Sequence, residues 1–421
     1  MPETGFIKSI KAREILDSRG NPTIEVDCMT SSGLVRASVP SGASTGKHEA
    51  WELRDKNHRY QGKGVEKAVK GINTIIAKKF REVPITQNIL DEQLITMDGT
   101  YEKKRLGANA MLAVSIAVCK AGALTQGLPL YAYIQQLTNR PLSLPIPAFN
   151  VINGGVHAGN DLSFQEYMVI PNKAKSFAEA LQIGSEVYHT LKQILLKKYG
   201  KTATNVGDEG GFAPPLKKHT EPLELLHKAV DEAGYEKQVV FGIDAAASQF
   251  YDGKAYALDG KKLTGAKLIE VYRSLAKKYR VVSIEDPFHE EAFDDFAVLT
   301  KAIGKSVQVV GDDLLCTNPG RINQAITSNA CNALLLKPNQ IGTITEAIGA
   351  AHLAFNERWN VMVSHRSGDT TDDFIADLAV GLGAGEIKAG APARGERVAK
   401  YNQLLRIEDQ AEGKIKLARP F

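Results

Sequence analysis

Cysteine is scarce in this chain of 421 residues. The four cysteines, at positions 28, 119, 316 and 331, are scattered along the chain, and none forms a CxxC pair. This spacing gives no indication of a zinc site or of a redox dithiol. Few and scattered cysteines are typical of proteins from a reducing cytosol, so we expect a cytoplasmic location.

Long hydrophobic runs are also missing. The longest apolar stretch covers residues 106–119 and is interrupted by Asn109 and Ser115. It is too short to cross a bilayer and predicts a buried helix. The first residues lack the basic and apolar regions of a secretory signal. We therefore expect no membrane association.

Neither sign of charge is in clear excess. The chain has 52 basic and 48 acidic residues, for a formal charge of +4, and acids separate its short basic runs. A nucleic-acid-binding protein usually concentrates its basic residues, so we expect no nucleic-acid partner. The content of 43% hydrophobic and 24% charged residues is typical of a globular enzyme. The length favours two domains, or one large domain with an appendage.

The N-terminal part of the sequence has an α+β pattern. Residues 6–16, 23–29 and 34–39 are predicted strands, and residues 65–80 and 107–126 are predicted helices. Three prolines within 141–147 predict an extended connector. We place the domain boundary there, with an α+β domain over residues 1–139 and a second domain over residues 140–421.

The second part repeats a short apolar run that ends in a polar residue. Amphipathic stretches, such as 266–279, 319–329 and 343–358, lie between these runs. Alternation of buried strands and helices predicts a (β/α) barrel, whose chemistry lies at the carboxyl ends of the strands. The residues that end the six runs are Asp244, Glu285, Asp312, Lys337, His365 and Lys388.

Three of these strand ends carry carboxylates. Asp244, Glu285 and Asp312 would repel one another at a barrel mouth unless a cation lay between them. Oxygen ligands favour a hard ion, and Mg²⁺ is the first expectation. The alternative is that each acid only caps a strand end or pairs with an arginine.

Lys337 ends the next apolar run. A lysine at this position is either a Schiff-base nucleophile or a general base. Nearby cations, meaning the metal and Lys388, would favour its neutral amine. The alternative is a lysine that forms a salt bridge with one of the acids.

Four further segments carry candidate residues. Glu209 lies in a glycine-bracketed loop at 207–212 and is either a general acid or part of a plain turn. His157 lies in a second glycine loop, ahead of Glu166, and residues 41–46 form a third glycine-rich loop that does not match a Walker A motif. Arg366, in the segment 364–368, is suited to a phosphate or pairs with Asp369. Together these features predict a closing site that removes a proton next to a metal-bound carboxylate.

The sequence resembles the enolase family from end to end. The blocks that carry the resemblance are residues 12–22, 41–46, 207–214, 284–287, 364–368 and 391–397. The resemblance implies an α/β fold with an N-terminal α+β domain and a modified TIM-type (β/α)8 barrel, whose early strands depart from regular alternation. It implies a glycolytic lyase that converts 2-phosphoglycerate to phosphoenolpyruvate with two Mg²⁺ ions, commonly as a homodimer and in some bacteria as an octamer. A Lys or His base acting with one or two Mg²⁺ ions is a known property of enolase-superfamily sites.

The resemblance also implies a role for each site residue. Lys337 would remove the C2 proton, and Glu209, assisted by Glu166, would protonate the departing hydroxide. Asp244, Glu285 and Asp312 would bind the first Mg²⁺, and the loop at Ser44 would assist in binding the second. His157 and His365 would line the site. The residues that would contact the substrate are Ser44, His157, Glu166, Arg366, Ser367 and Lys388.

Pro338, directly after Lys337, departs from the family pattern. Proline removes a backbone donor and holds the preceding residue in an extended conformation, which a strand end tolerates. Three other interpretations stay open. They are a superfamily member acting on a different acid, a Schiff-base aldolase and a non-enzymatic role.

Overall fold

The computed structural model describes residues 5–43 and 45–421, and for residue 157 the backbone only. The N-terminal part begins with an antiparallel meander of three strands, in the order β1-β2-β3. A π-helical turn, Ile72–Ile76, joins the first two helices. The three predicted strands and both predicted helices are confirmed. The elements are β1 Ile7–Leu16, β2 Pro22–Thr30, β3 Gly33–Ser38, α1 Glu66–Gly71, α2 Ala77–Phe80, α3 Gln87–Asp98, α4 Ala108–Gln126 and α5 Leu130–Thr138.

Helix α4 is the most apolar helix of this part of the fold. Within the described residues, it is the helix that is long and apolar enough to cross a membrane by length and composition alone. Inside the protein, 83% of its most apolar window is buried. It packs against β2 and β3, as the sequence predicted for a core helix.

The second part of the chain builds a nine-stranded sheet in the order β4-β14-β13-β12-β11-β10-β7-β6-β5. A small hairpin, β8 and β9, lies outside this sheet. All six predicted strand runs of the barrel are confirmed. The strands are β4 Ile146–Pro147, β5 Phe149–Asn153, β6 Glu166–Ile170, β7 Val240–Asp244, β8 Tyr256–Leu258, β9 Lys261–Leu263, β10 Val281–Glu285, β11 Gln308–Gly311, β12 Ala333–Leu336, β13 Asn360–Ser364 and β14 Glu386–Lys388.

The sheet nearly closes into a barrel because residues 146–153 contribute to both of its edges. β4 pairs with β14 at one edge, and β5 pairs with β6 at the other. From β7 through β10 to β14 the neighbouring strands run parallel, whereas β6 runs antiparallel to both β5 and β7. The expected departure of the early strands from regular alternation is therefore confirmed. The boundary between residues 139 and 140 stays a prediction.

Helices cover the outside of the barrel. Four of them begin with a side chain that accepts a hydrogen bond from the first turn, and these cap residues are Ser176, Thr264, Asn318 and Thr343. Such caps satisfy backbone donors that lack helical partners. The helices are α6 Phe177–Tyr199, α7 Glu221–Glu232, α8 Gly265–Tyr279, α9 Phe293–Ile303, α10 Pro319–Ser328, α11 Ile344–Asn356, α12 Phe374–Leu382 and α13 Gly395–Ala411.

The barrel interior is apolar, but a carboxylate lies at its amino-terminal floor. Apolar side chains such as Met168, Leu335 and Met362 pack together inside the barrel. Glu386, the first residue of β14, is fully buried, and neither of its oxygens completes a hydrogen bond within the described structure. Burial raises the pKa of Glu386 to about 8, and the nearby Gln308 side chain opposes this rise. Ionisation of this buried carboxyl group therefore destabilises the folded protein.

Glu386→Gln should stabilise the protein at high pH. The pKa of Glu386 is raised in the folded state above 4.5, the ordinary value for glutamate. The contribution of Glu386 to stability is therefore fully present below pH 4.5 and is lost as the pH rises through about 8. We expect the melting temperature of the variant to exceed that of wild type by roughly 2–5 °C at pH 9, with little difference at pH 4.5. Thermal unfolding followed by circular dichroism measures this. The exposed Glu236→Gln is the control, and equal melting curves for E386Q and wild type at pH 9 would contradict the prediction.

Candidate active site

The candidate site lies on the rim formed by the carboxyl ends of the barrel strands. Asp244, Glu285 and Lys388 are the last residues of β7, β10 and β14. The residues that directly follow β11, β12 and β13 are Asp312, Lys337 and His365. All six are buried or nearly so. The strand pattern of the sequence thus brings its predicted residues to one rim.

Glu166 reaches the same rim from the opposite chain direction. It is the first residue of β6, which runs antiparallel to its neighbours. The pairing sets Glu166 opposite Asn153 on one side and Asp244 on the other. A residue at the start of an antiparallel strand therefore lies beside residues at the ends of parallel ones.

Lys388 lies among three carboxylates. Its Nζ is 2.7 Å from Glu285 Oε2, 3.0 Å from Glu166 Oε2 and 3.3 Å from Asp244 Oδ2. Burial alone would lower the pKa of Lys388, but these carboxylates raise it well above its usual value. Burial also raises the pKa values of Glu166 and Glu285, and their acidic neighbours add to the rise.

Lys337 forms a separate ion pair with Asp312. The distance from Lys337 Nζ to Asp312 Oδ2 is 2.5 Å, and Gln340 Nε2 donates to the other oxygen of this carboxylate at 2.9 Å. Burial is the largest single influence on the pKa of Lys337 and would lower it, but the nearby carboxylates, Asp312 first and Glu285 second, together raise it above its usual value. Lys388 favours the neutral amine, as the sequence predicted, but in this arrangement the carboxylates outweigh it. The extended backbone expected before Pro338 is confirmed, with φ −122° and ψ 100° at Lys337.

The rim is suited to a metal ion with oxygen ligands. Asp244, Glu285 and Asp312 end three adjacent strands and present carboxylate oxygens, the ligand type that hard divalent cations prefer. In the structure their charge is balanced by Lys337 and Lys388. Two other groups of side chains bring three possible ligand atoms within 4.8 Å of one another: Glu166, Glu209 and His365, and Asp286, Asp312 and Asp313.

Glu209 and His365 face each other across the rim. Asn150 Nδ2 donates to Glu209 Oε2 at 2.8 Å, and His365 Nε2 lies 3.7 Å from the same oxygen. Gly210 has a φ of +85°, which favours glycine and lets the loop turn directly after Glu209. Burial lowers the pKa of His365 well below its usual value, although Glu209 opposes this, so the ring is neutral.

Arg397 fixes the tautomer of that ring, a role that the sequence did not predict. Its Nη1 donates to His365 Nδ1 at 2.6 Å and to the Arg366 carbonyl at 2.7 Å. Because Nδ1 accepts, the proton of the neutral ring is on Nε2, which faces Glu209. Arg397 Nη2 also donates to the carbonyls of Ser367 and Asp208. The one feature of the sequence that could have indicated Arg397 was its place in the block 391–397, which carries the family resemblance.

Arg397→Lys should lower kcat by about 10- to 100-fold, the usual cost of losing a residue that orients an active group. A lysine lacks the planar fork that binds His365 and three carbonyl groups together. The measurement is steady-state turnover, with circular dichroism to show that the variant is folded. Arg406→Lys, on the exposed side of the same helix, is the matched control and should leave kcat unchanged. Equal kcat values for R397K and wild type would contradict the positioning role.

Arg366 and Ser367 connect the rim to the N-terminal part of the chain. Arg366 is held by Glu49 through two hydrogen bonds of 3.0 Å and also donates to Asn339. Ser367 Oγ accepts a hydrogen bond from the Ala43 backbone at 2.8 Å. The sequence alternative that paired Arg366 with Asp369 is not what the structure shows, because the side chain of Arg366 is turned to Glu49.

The two parts of the chain approach each other closely at Gly368. Its backbone forms two hydrogen bonds with Ser41, at 2.7 and 2.9 Å. A Cβ at this position would lie 2.4 Å from Asp17 Oδ2, so any larger residue would have to displace the side chains of Asp17 and Arg19. The predicted Ser44 lies outside the described residues, and so does the side chain of His157, whose backbone ends a short 3₁₀ turn, Gly155–His157.

The rim surrounds a small polar cavity of about 10 Å³. A second cavity of about 260 Å³ lies beside the loop at 42–47 and extends to Asn339. The polar walls of the first cavity suit a highly charged molecule. Its lining includes Glu166, Glu209, Asp244, Lys337, His365, Arg366 and Lys388.

The fold and the rim define a barrel enzyme whose site combines titratable side chains with carboxylates suited to a metal ion. Two family models match the chain: "Enolase, N-terminal domain" over residues 7–134 and "Enolase, C-terminal TIM barrel domain" over residues 141–418. The chain belongs to the enolase family.

Proteins named enolase from three archaea are among its relatives. The relative from Thermococcus gammatolerans is 57% identical over 412 residues, which are 97% of this chain and 95% of the relative. The relative from Methanocaldococcus jannaschii is 56% identical, over 97% of this chain and 96% of its own. The relative from Pyrococcus furiosus is 54% identical, over 97% of this chain and 95% of its own. These matches cover both parts of the fold.

Proposed function

We propose that the protein is a phosphopyruvate hydratase, a glycolytic lyase that reversibly dehydrates 2-phosphoglycerate to phosphoenolpyruvate. The observation that carries the proposal is the barrel rim. There, two buried lysines lie against carboxylates from adjacent strands, in a chain that matches enolases over nearly its full length. This arrangement supports abstraction of a weakly acidic proton next to a carboxylate, a reaction that needs concentrated positive charge.

Lys337 is proposed as the base that removes the C2 proton. Its Nζ reaches the rim cavity and is within 2.5 Å of Asp312. A base must be neutral before it accepts a proton, and Asp312 in the present pairing favours the ammonium form. A metal ion held by Asp312 would share the charge of this carboxylate, so that Asp312 would support the ammonium form of Lys337 less.

Glu209 is proposed as the acid that protonates the departing C3 hydroxide, assisted by Glu166. Burial and the charge of Glu209 raise the pKa of Glu166 well above its usual value, which favours a proton on Glu166 beside Glu209. His365 is proposed to line the site as a neutral donor toward Glu209, held by Arg397. His157 is also proposed to line the site.

Arg366, Ser367 and Lys388 are proposed to bind the substrate. The guanidinium of Arg366 matches a phosphate in shape and charge, and Ser367 adds a hydroxyl. Lys388 is proposed to contact the substrate carboxylate, for which it would exchange one of its present carboxylate partners. The loop at Ser44 is proposed to complete the phosphate end.

Two Mg²⁺ ions are proposed as cofactors, the first held by Asp244, Glu285 and Asp312 and the second assisted by Ser44. When bound, they neutralise the substrate carboxylate and stabilise the negative charge that forms when the C2 proton leaves. All three carboxylates of the first site are on rigid strand ends, which favours a fixed coordination geometry.

A homodimer in the cytoplasm is the assembly that we propose, with an octamer as the alternative, and without nucleic-acid or membrane partners. Similarity to the enolase family supports the dimer. The four cysteines are free and buried, which fits a reducing compartment. Sedimentation equilibrium would distinguish the monomer, dimer and octamer.

An ultraviolet assay of phosphoenolpyruvate formation from 2-phosphoglycerate in the presence of Mg²⁺ tests the proposed function. We expect turnover by the wild-type protein and no covalent trapping of substrate by borohydride, because Lys337 acts as a base and not as a Schiff-base nucleophile. Absence of turnover in folded protein with Mg²⁺ would overturn the proposal, and borohydride trapping at Lys337 would favour the aldolase interpretation.

A further inference from the structure

The arginine assigned to the substrate phosphate already binds a carboxylate from the N-terminal part of the chain. Arg366 Nη1 donates to Glu49 Oε2, and Arg366 Nη2 donates to Glu49 Oε1, both at 3.0 Å. The side chains are 3% and 10% exposed, so the pair is shielded from water. A guanidinium binds carboxylate and phosphate with the same two-point geometry. Glu49 therefore occupies the position on Arg366 that an anionic ligand would use.

Glu49 also holds the end of the glycine-rich loop at 41–46. Its Oε1 accepts a hydrogen bond from the Gly46 backbone at 3.1 Å, and its own backbone N–H donates to the Gly46 carbonyl at 3.2 Å. Asn339, which accepts from the same arginine, lines the larger cavity beside this loop. The carboxylate of Glu49 is thus fixed in place by its own segment before any ligand arrives.

We propose that Glu49 competes with the substrate for Arg366 and so sets the affinity of this arginine for anions. The inference rests on the proposed function, which assigns Arg366 to the phosphate. A monocarboxylate offers Arg366 no more charge than Glu49 does, and Glu49 is already tethered beside it. A phosphate dianion brings more charge and three acceptor oxygens, so it displaces Glu49 at a lower concentration than a carboxylate does.

Glu49→Gln tests this inference because glutamine keeps the shape and the acceptor for Gly46 but removes the competing charge. Calorimetric titration of the full chain with inorganic phosphate, in Mg²⁺ buffer, measures the affinity. We expect E49Q to bind inorganic phosphate about tenfold more tightly than wild type, the effect of roughly one charge-assisted hydrogen bond. Acetate, titrated in competition with phosphate, should gain by a similar factor, because every anion that binds Arg366 must displace Glu49 at the same cost.

Glu52→Gln is the matched control. Glu52 lies on the same segment, but its carboxylate accepts from Arg54 at 2.7 Å and from Ser41 Oγ at 3.2 Å. We expect phosphate affinity equal to that of wild type. Weaker or unchanged phosphate binding by E49Q would overturn the inference, because Glu49 would then orient Arg366 or play no part in binding. If E49Q fails to fold, Glu49→Asp is the second variant. Its side chain is one methylene shorter, so its carboxylate lies farther from Arg366, and it must bind inorganic phosphate more tightly than wild type does.

Arg366→Gln separates failure of this inference from failure of the proposed function. If wild type forms phosphoenolpyruvate and R366Q loses phosphate binding, the proposed function stands and E49Q alone decides the role of Glu49. If R366Q binds phosphate as wild type does, the assignment of Arg366 is wrong and the inference is overturned with it.

Discussion

Lys337→Ala should reduce dehydration of 2-phosphoglycerate by at least about 10⁴-fold, because no other group in the rim cavity is proposed to accept the C2 proton. The variant should also lose exchange of that proton with deuterium from the solvent, measured by nuclear magnetic resonance of the substrate. Loss of both reactions is the signature of a missing base.

Glu209→Gln is the informative comparison for this prediction. If Glu209 acts only on the leaving hydroxide, the variant should lose dehydration but retain proton exchange at C2. Lys305→Ala, on the exposed surface, should retain both. Proton exchange by folded K337A at the wild-type rate would show that another group is the base.

Removal of divalent metal should abolish turnover, and added Mg²⁺ should restore it. The proposed ligands for such an ion are buried carboxylates at three adjacent strand ends, which are paired in the structure with lysines. Treatment with EDTA followed by Mg²⁺ titration in the dehydration assay measures the requirement. Full activity of metal-free protein would remove the metal from the proposed mechanism.

Glu285→Gln connects this requirement to a residue. Loss of one charged ligand should raise the Mg²⁺ concentration that gives half-maximal activity by more than about 100-fold, since even residues that only orient ligands cost 10- to 100-fold. The control is Glu236→Gln, an exposed acid remote in sequence from the strand ends, which should leave this concentration unchanged. An unchanged requirement in E285Q would contradict the ligand assignment.

The sequence was sufficient to predict the rim because each strand carries its own local signal. A buried apolar run followed by a polar residue specifies both the strand and the edge at which that residue lies, as at Asp244 and Lys337. The reversed direction of β6 was not predictable in the same way. An apolar run does not reveal the direction of its strand, so the sequence marked Glu166 only as the start of such a run, and its role came from the family resemblance.

Contacts between distant parts of the chain were beyond sequence reasoning. The partners Glu49 and Arg366 are 317 residues apart, and Arg397 meets His365 from the outer helix α13. Neither Glu49 nor Arg397 ends a strand, and charged residues outside the strand ends are usually exposed. The sequence also left open which partner Lys337 has, because the residue nearest to a side chain depends on packing and not on strand order.

The pairing of β6 determines where the chain tolerates changes in length. Glu166 faces Asp244 because the two strands are held in one register, and a shift of one residue would turn its side chain to the other face of the sheet. Insertions and deletions between relatives should therefore be absent from β6.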